Sequence, residues 1–215
     1  MLPIVCIVGK SNVGKTTLLE GLIAELKRRG YRVATVKHDV HGFDIDQPGK
    51  DSWRHAQAGS DAVVISSPQK LALIKRVDHD SSLEEIARLL GDDFDIVLAE
   101  GYKNSNMPKI EVHRQALEEG LLCSPDELIA IATDEHLDIP VWQCSLDDTP
   151  KLANFIEQTF LTEPKEEAIL FVNGNHIPLS PFVRSFIEGT VKGMVSTLKG
   201  VDTAKRIDLW IREED

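Results

Sequence analysis

The chain has few cysteines, no long apolar run and no excess of positive charge. Its three cysteines, at positions 6, 123 and 144, lie far apart and form no CxxC pair, so they predict neither a disulfide framework nor a thiolate zinc site. An apolar segment begins almost at the first residue, and nothing approaches the roughly 20 apolar residues of a membrane helix. We therefore expect a cytoplasmic protein in a reducing compartment, with no membrane association.

The overall charge is acidic. The formal net charge is −11 and the isoelectric point is near 5.1, which argues against sequence-independent binding to a nucleic-acid backbone. Hydrophobic residues make up 42% of the 215 residues, which is enough for a folded core. These values indicate one domain of ordinary size with room for a small appendage.

The most informative segment is a glycine-containing loop near the amino end. It matches G-x-x-x-x-G-K-[ST] and lies between an apolar run at 4–8 and an amphipathic segment at 16–29. The glycines let backbone N–H groups face a phosphate, and the next helix directs its positive end at the same anion. The sequence thus predicts a nucleoside triphosphate site formed by Gly9, Lys10, Ser11, Asn12, Val13, Gly14, Lys15, Thr16 and Thr17.

Three side chains have predicted roles in handling the triphosphate. Lys15 is expected to contact the β- and γ-phosphates in catalysis, and the Thr16 hydroxyl is expected to bind Mg²⁺. Glu100 follows a buried strand, where this architecture places a carboxylate near the same metal ion. A long polar loop at 37–59 adds three candidates for a second Mg²⁺ contact or for orienting water: Asp39, Asp44 and Asp46. Of these, we expect Asp46 to be catalytic.

Strand and helix patterns alternate along most of the chain. Strands are predicted at 4–8, 31–36, 62–66, 71–74, 95–99, 109–112, 128–133 and 141–143, and helices at 16–29, 83–90 and 149–160. Ser81 and Glu84 are predicted to form the capping box of the second helix. The alternation predicts an α/β fold of the P-loop NTPase type, with a mostly parallel sheet flanked by helices.

A polar, charged stretch at 162–167 predicts a boundary between residues 1–163, the nucleotide-binding domain, and residues 166–215. Asn173 and Gly174 predict a hairpin turn, followed by a helix at 181–198 and a strand at 207–211. This small α+β unit has about 50 residues, which is marginal for independent folding. We expect it to pack on the main domain or on a partner.

Base recognition and metal chemistry are less strongly indicated. Thr133 and Asp134 follow a late strand, where a carboxylate can accept both guanine N–H groups, although the Asn-Lys-x-Asp motif is absent. The D-x-x-G match at 46–49 is discounted because no buried strand leads into it. Zinc is a minor alternative. The polar loop contains three histidines, but no cysteine lies near them in the sequence: His38, His41 and His55.

Two stretches besides the loop resemble the MobB family, the nucleotide-binding adaptor of molybdopterin guanine dinucleotide biosynthesis. They run from Lys37 through His55 to Gly59 and from Leu98 through Glu100 to Lys109, and the resemblance covers about residues 1–160. Lys10 also occupies the signature-lysine position of related dimeric NTPases, with serine and asparagine replacing their two glycines.

The resemblance implies GTP and Mg²⁺ binding, weak GTP hydrolysis, a homodimer, and partnership with a MobA-type nucleotidyltransferase that joins GMP to molybdopterin. By position it implies a phosphate site at 10–17, a metal-site carboxylate at Glu100, and a base site at Thr133 and Asp134. The C-terminal unit lies outside the resemblance, and its role stays open between a partner surface and a surface for molybdopterin or its guanine dinucleotide.

Two other functions stay open. A P-loop small-molecule kinase or ATP-using ligase would hold its acceptor with cations outside the loop, for which the sequence offers Lys37, Lys50, Arg54 and Lys103. A binding scaffold would keep the nucleotide as a structural ligand. No serine lies in a nucleophile elbow, so a Ser-His-Asp hydrolase is excluded.

Overall fold

The computed structural model describes residues 2–39, 42–91, 93–117, 120–162, 168–173, 175–201, 204 and 206–211. The chain divides into two compact units, Leu2–Thr162 and Glu163–Asp215.

A six-stranded sheet forms the centre of the larger unit. Its strands are β1 (Ile4–Val8), β2 (Val33–Lys37), β5 (Ile96–Glu100), β6 (Lys109–His113), β7 (Leu128–Thr133) and β8 (Gln143–Ser145). They are ordered β2-β5-β1-β6-β7-β8, and every neighbouring pair is parallel. β1 is buried along its whole length, as expected of an apolar strand covered on both faces. The predicted α/β fold with a mostly parallel sheet is confirmed.

Helices and a separate hairpin complete this unit. The helices are α1 (Lys15–Arg28), α2 (Asp51–Gln57), α3 (Leu83–Leu90) and α4 (Thr149–Ile156), and the antiparallel pair is β3 (Ala62–Ser66) with β4 (Leu71–Lys75). Leucines of α1 and α4 belong to the hydrophobic cluster on one face of the sheet. Leu83 of α3 belongs to the cluster on the other face. The central sheet is therefore covered on both sides, and its functional edge is left at the strand ends.

Several predicted element boundaries are wrong by small shifts, among them the following three. The capping box uses Ser82 and Glu85 instead of Ser81 and Glu84, since helix α3 begins at Leu83 and thereby buries that leucine. The last strand lies at Gln143–Ser145, where it pairs with Ile131 to Thr133 of β7. Helix α4 ends at Ile156 and continues as a π-helical turn, Glu157–Leu161.

The smaller unit contains an antiparallel pair, β9 (Leu170–Val172) and β10 (Asn175–Ile177), followed by α5 (Pro181–Ser196). The hairpin and helix are confirmed, with Asn173 in the left-handed conformation; Gly174 lies outside the described residues. The predicted strand at 207–211 is wrong: residues 206–211 form no regular structure, and Trp210 is 81% exposed. An apolar run becomes a strand only where a sheet edge pairs with it, and in the described part of this unit β9 and β10 pair with each other.

None of the described helices combines the length and apolarity that crossing a lipid bilayer requires.

Leu22 of α1 tests the packing of the central sheet. It is fully buried, so Leu22→Ala is expected to lower the free energy of unfolding by about 2–5 kcal/mol through lost contacts and a residual cavity. Urea unfolding followed by circular dichroism measures the change. Leu89→Ala is the matched control, because Leu89 is 60% exposed on α3; equal losses for the two variants would contradict the assigned core.

The three cysteines give a second test. All are free thiols and buried, and burial raises the pKa of each, that of Cys144 to about 11. Because the thiolate is the reactive form, the folded protein is expected to react slowly with a disulfide reagent at pH 8. Unfolding in urea should release three fast equivalents, and three fast equivalents without urea would contradict the burial.

Candidate functional site

The parallel sheet brings the carboxyl ends of its strands to one edge. The register aligns Ile7 of β1 with Glu100 of β5, and Glu100 with Lys37 of β2. On the other side of β1, His113 at the end of β6 pairs with Thr133 at the end of β7. Polar groups that are far apart in sequence therefore meet around the loop that follows β1, as ligand sites do in open parallel sheets.

The loop between β1 and α1 has a backbone that few other residues could adopt. Gly9 has φ of +143°, and a Cβ there would lie 2.6 Å from the carbonyl oxygen of Val112. Asn12 and Gly14 are also at positive φ. Among the described residues no side chain caps the start of α1, and its first turn holds no acidic residue. The first amides and the positive end of α1 therefore remain directed at the loop, which is the arrangement that binds an anion.

Lys15 lies over this loop. Its Nζ donates to the carbonyl oxygens of Gly9, at 3.0 Å, and Lys10, at 2.6 Å. Burial lowers its pKa, Glu100 opposes that shift and Lys37 adds to it. The ammonium group is thus held at the mouth of the loop, within reach of any phosphate bound by the loop amides.

Thr16 and Glu100 form the oxygen-rich side of the site. The Thr16 hydroxyl donates to Glu100, with Oγ1 3.2 Å from both carboxylate oxygens. After Glu100 the chain turns through Gly101 at φ of +97°, whose N–H donates to the carbonyl of Ile7. A hydroxyl and a carboxylate are hard oxygen ligands, so this pair fits Mg²⁺. The structure brings together the two residues chosen as metal ligands from the sequence.

Arg114 was missed by the sequence analysis. Its Nε donates to the carbonyl of Val13 in the loop at 2.8 Å, and its guanidinium lies against Gly14. Asp134 accepts from the backbone N–H of Gln115 at 2.8 Å and lies 3.7 Å from the guanidinium of Arg114. The predicted base-site carboxylate is therefore connected to the phosphate loop through Arg114. The available signal was an arginine directly after a strand, which is too common to single out.

Thr133 and Asp46 make local contacts. Thr133 is buried, and its hydroxyl accepts from the N–H of Glu135 at 3.2 Å. Oδ1 of Asp46 accepts from Gln47 N–H and from the Ser52 hydroxyl, both at 2.9 Å. Its Oδ2 is buried without a hydrogen-bond partner in the described part of the chain. No described hydrogen bond joins Asp46 to the phosphate loop, so its catalytic role stays a prediction.

The histidines of the polar loop are distributed differently. His38 follows β2, stacks on Tyr102 with ring centroids 4.5 Å apart, and has Nε2 3.0 Å from Asp80. His55 is exposed on α2, and His41 lies outside the described residues. Within the described ranges no three histidine, cysteine or acidic side chains converge as metal ligands.

The cations proposed for a kinase acceptor do not form one cluster with the loop. Lys103 lines a groove of about 450 Å³ together with Gly9, Lys10 and Ser11. Lys50 precedes α2, and Arg54 pairs loosely with Asp51 at 3.7 Å. Of these cations, Lys103 lies in the groove beside the loop, and Lys37 at the end of β2 is near enough to lower the pKa of Lys15.

A parallel sheet whose first strand leads through G-x-x-x-x-G-K-T into a helix defines a P-loop NTPase fold. The family model for molybdopterin guanine dinucleotide synthesis protein B matches residues 4–134. A Haemophilus influenzae molybdopterin-guanine dinucleotide biosynthesis adapter protein is 38% identical over 73% of this chain and 88% of its own length. The chain belongs to the MobB family, as its motifs indicated.

Two further comparisons show how much of the chain the similarity covers. A putative adapter protein of the same description from Methanocaldococcus jannaschii is 28% identical over 97% of each chain, so the similarity extends into the C-terminal unit. The crystal structure of a molybdopterin-guanine biosynthesis protein B is 32% identical, with a TM-score of 0.55, over 72% of this chain and 97% of that one.

Gly9 tests the loop geometry. Gly9→Ala puts a Cβ against the Val112 carbonyl at a φ that alanine avoids, so the loop should distort and affinity for a nucleoside triphosphate should fall at least about 10-fold, or about 1.4 kcal/mol. Calorimetry with Mg²⁺ measures it. Gly189→Ala is the control, because Gly189 lies in α5 with open space around it. Unchanged affinity in Gly9→Ala would contradict the assigned loop.

Proposed function

We propose that this protein binds GTP with Mg²⁺, hydrolyses it slowly, and acts as an adaptor in molybdopterin guanine dinucleotide formation. The observation that carries the proposal is the phosphate loop with Lys15 at its mouth and the Thr16–Glu100 pair beside it. In this arrangement the loop amides and Lys15 hold the phosphates, while Thr16 and Glu100 hold the metal ion that screens their charge.

Slow hydrolysis is supported by the contacts of Arg114. An arginine that stabilises the transferring phosphoryl group is worth several orders of magnitude in rate. Arg114 directs its Nε at the Val13 carbonyl and lies near Asp134, so it supports the loop and is not placed as such a group. Asp46, one of whose oxygens is buried without a hydrogen-bond partner among the described residues, is proposed to orient the attacking water.

The partner would be a MobA-type nucleotidyltransferase, which transfers GMP to molybdopterin. Adapter function in the relatives' descriptions and the P-loop motif support such a role. We further propose a homodimer in the cytoplasm, where the three free thiols would stay reduced.

Lys15→Ala tests the nucleotide assignment. Loss of charge-assisted hydrogen bonds to the phosphates should weaken GTP binding by about 10- to 100-fold. Titration calorimetry with GTP and ATP, with and without Mg²⁺, measures this and the base preference. Lys27→Ala is the matched control, being an exposed lysine on the same helix. Tighter binding of ATP than of GTP would overturn the guanine assignment.

Glu100→Gln tests the metal assignment. The amide keeps the shape but removes the charge that attracts Mg²⁺, so the gain in GTP affinity on adding Mg²⁺ should shrink by about 10-fold while metal-free binding persists. Glu84→Gln, on the exposed part of α3, should behave like the wild type. An unchanged Mg²⁺ effect in Glu100→Gln would remove Glu100 from the metal site.

A second function is favoured by one observation, the groove beside the loop that Lys103 lines. A small anionic acceptor bound there would make the protein a kinase or ligase. Such an enzyme should release nucleoside diphosphate at a substantial rate only when that acceptor is added.

A further inference from the structure

A second cavity lies at the carboxyl ends of β6 and β7, separate from the groove beside the phosphate loop. Its volume is about 390 Å³, within the range of small-molecule sites. Leu121, Leu137 and Ile139 form its apolar wall, and these three also pack against the hydrophobic cluster on that face of the sheet. His113, Gln115, Glu135 and Asp138 supply polar groups; of the two carboxylates, Glu135 is the one that His113 contacts.

His113 and Glu135 form a pair inside this cavity. His113 Nε2 lies 2.7 Å from Glu135 Oε1, and both side chains are largely buried. With an ionised Glu135, which only accepts hydrogen bonds, Nε2 of His113 is the donor in this contact. The contact fixes the orientation of the carboxylate. Among the described contacts none uses the other oxygen, Oε2, which leaves it to accept from a ligand.

An apolar wall beside an oriented carboxylate selects a particular chemistry. A flat heterocycle gains by packing on the leucines and isoleucine. Of two adjacent N–H donors on its edge, one would bond to Oε2 of Glu135 and the other to the second lone pair of Oε1, which the contact with His113 leaves open. The 2-amino-4-oxopyrimidine ring has such an edge, with a ring N–H next to an amino group. Adenine presents an acceptor at the corresponding position, which a carboxylate repels. Guanine and pterins share the 2-amino-4-oxopyrimidine ring.

Asp134, the neighbouring carboxylate, is less suited to this task. Both residues follow the end of β7, but their neighbours differ. Asp134 accepts from Gln115 N–H and lies 3.7 Å from the Arg114 guanidinium, on the side of the phosphate loop. Glu135 contacts His113 and lines the cavity, so the two carboxylates serve different sites.

One chain segment lines both the cavity and the groove beside the phosphate loop. Gln115, Gly120 and Leu121 line the cavity, while Leu117 and Leu122 line the groove beside Gly9 and Lys10. The connection between β6 and β7 therefore borders both spaces, so a ring in the cavity and an anion at the loop would contact one segment of chain.

We propose that the His113–Glu135 cavity binds a 2-amino-4-oxopyrimidine ring, with Glu135 as the residue that recognises its donor edge. The ring is either the guanine of the nucleotide at the phosphate loop or the pterin of a second ligand. The choice of this ring rests on the proposed function, whereas the cavity and its carboxylate do not.

Glu135→Gln tests the proposal in the full-length protein, because glutamine keeps the shape but replaces one acceptor by a donor. Affinities are measured for GTP, for ITP, which lacks the 2-amino group, and for 6-hydroxymethylpterin by its fluorescence. Two controls accompany it: Glu84→Gln, an exposed acid on α3, and Asp134→Asn. Circular dichroism establishes that each variant is folded.

If the ring is guanine, Glu135→Gln should reduce the preference for GTP over ITP by about 10-fold, while Asp134→Asn should affect both nucleotides equally. If the ring is a pterin, Glu135→Gln should weaken pterin binding by about 10-fold and leave GTP unchanged. Wild-type values for GTP, ITP and pterin in Glu135→Gln, or no pterin binding together with equal GTP and ITP affinity in the wild type, would overturn it.

Failure of the proposed function has a different signature. If the wild type bound no triphosphate at all, the GTP assignment would fail, and the pterin measurement alone would decide the role of the cavity. If Lys15→Ala lost GTP while Glu135→Gln changed nothing, the GTP assignment would stand and the cavity proposal would fail.

Discussion

The geometry of the phosphate loop depends on its close approach to the end of strand β6. With Gly9 there is room for the loop beneath the Val112 carbonyl, whereas a Cβ would lie at 2.6 Å. Arg114, two residues further along, then reaches the Val13 carbonyl. Loop and strand thereby fix each other, and the first amides of α1 are held in one direction without a capping side chain. Preorganised amides of this kind bind an anion without reordering the backbone.

The same parallel register positions the carboxylate proposed to bind Mg²⁺. Since Glu100 aligns with Ile7, the residue two before the loop, the carboxylate arrives beside the first turn of α1 and meets Thr16. The pKa of Lys15, lowered by burial and restored in part by Glu100, reflects the same crowding of charges. In a chain with a net charge of −11, the loop and the lysines near it form a local positive site, which suits a polyphosphate.

Features encoded by consecutive residues could be predicted from the sequence. The loop, strand β1 and helix α1 form one run, and the hydrophobic period around them is clear. Arg114 and the His113–Glu135 pair could not be predicted, because their roles arise only when β6 lies beside β7 in a given register. The strand expected at 207–211 failed for a related reason: its apolar residues had the right pattern, but among the described residues they pair with no other strand. Ser82 replaced Ser81 at the cap because both serines have a glutamate three residues later, and burial of Leu83 decided between them.

Adjacent residues at this sheet edge line different spaces, which explains how one edge could bind two ligands. At the carboxyl ends of β6 and β7, Arg114 and Asp134 lie beside the phosphate loop, while His113 and Glu135 line the cavity. Both spaces adjoin the connection between these two strands, so occupancy of one would bias the conformation of a segment that lines the other. Binding at one space could change the affinity of the other only if that segment makes different contacts when the first space is occupied and when it is empty. For an adaptor with the slow hydrolysis proposed above, such coupling would let a bound nucleotide, instead of its turnover, set the affinity for a second ligand.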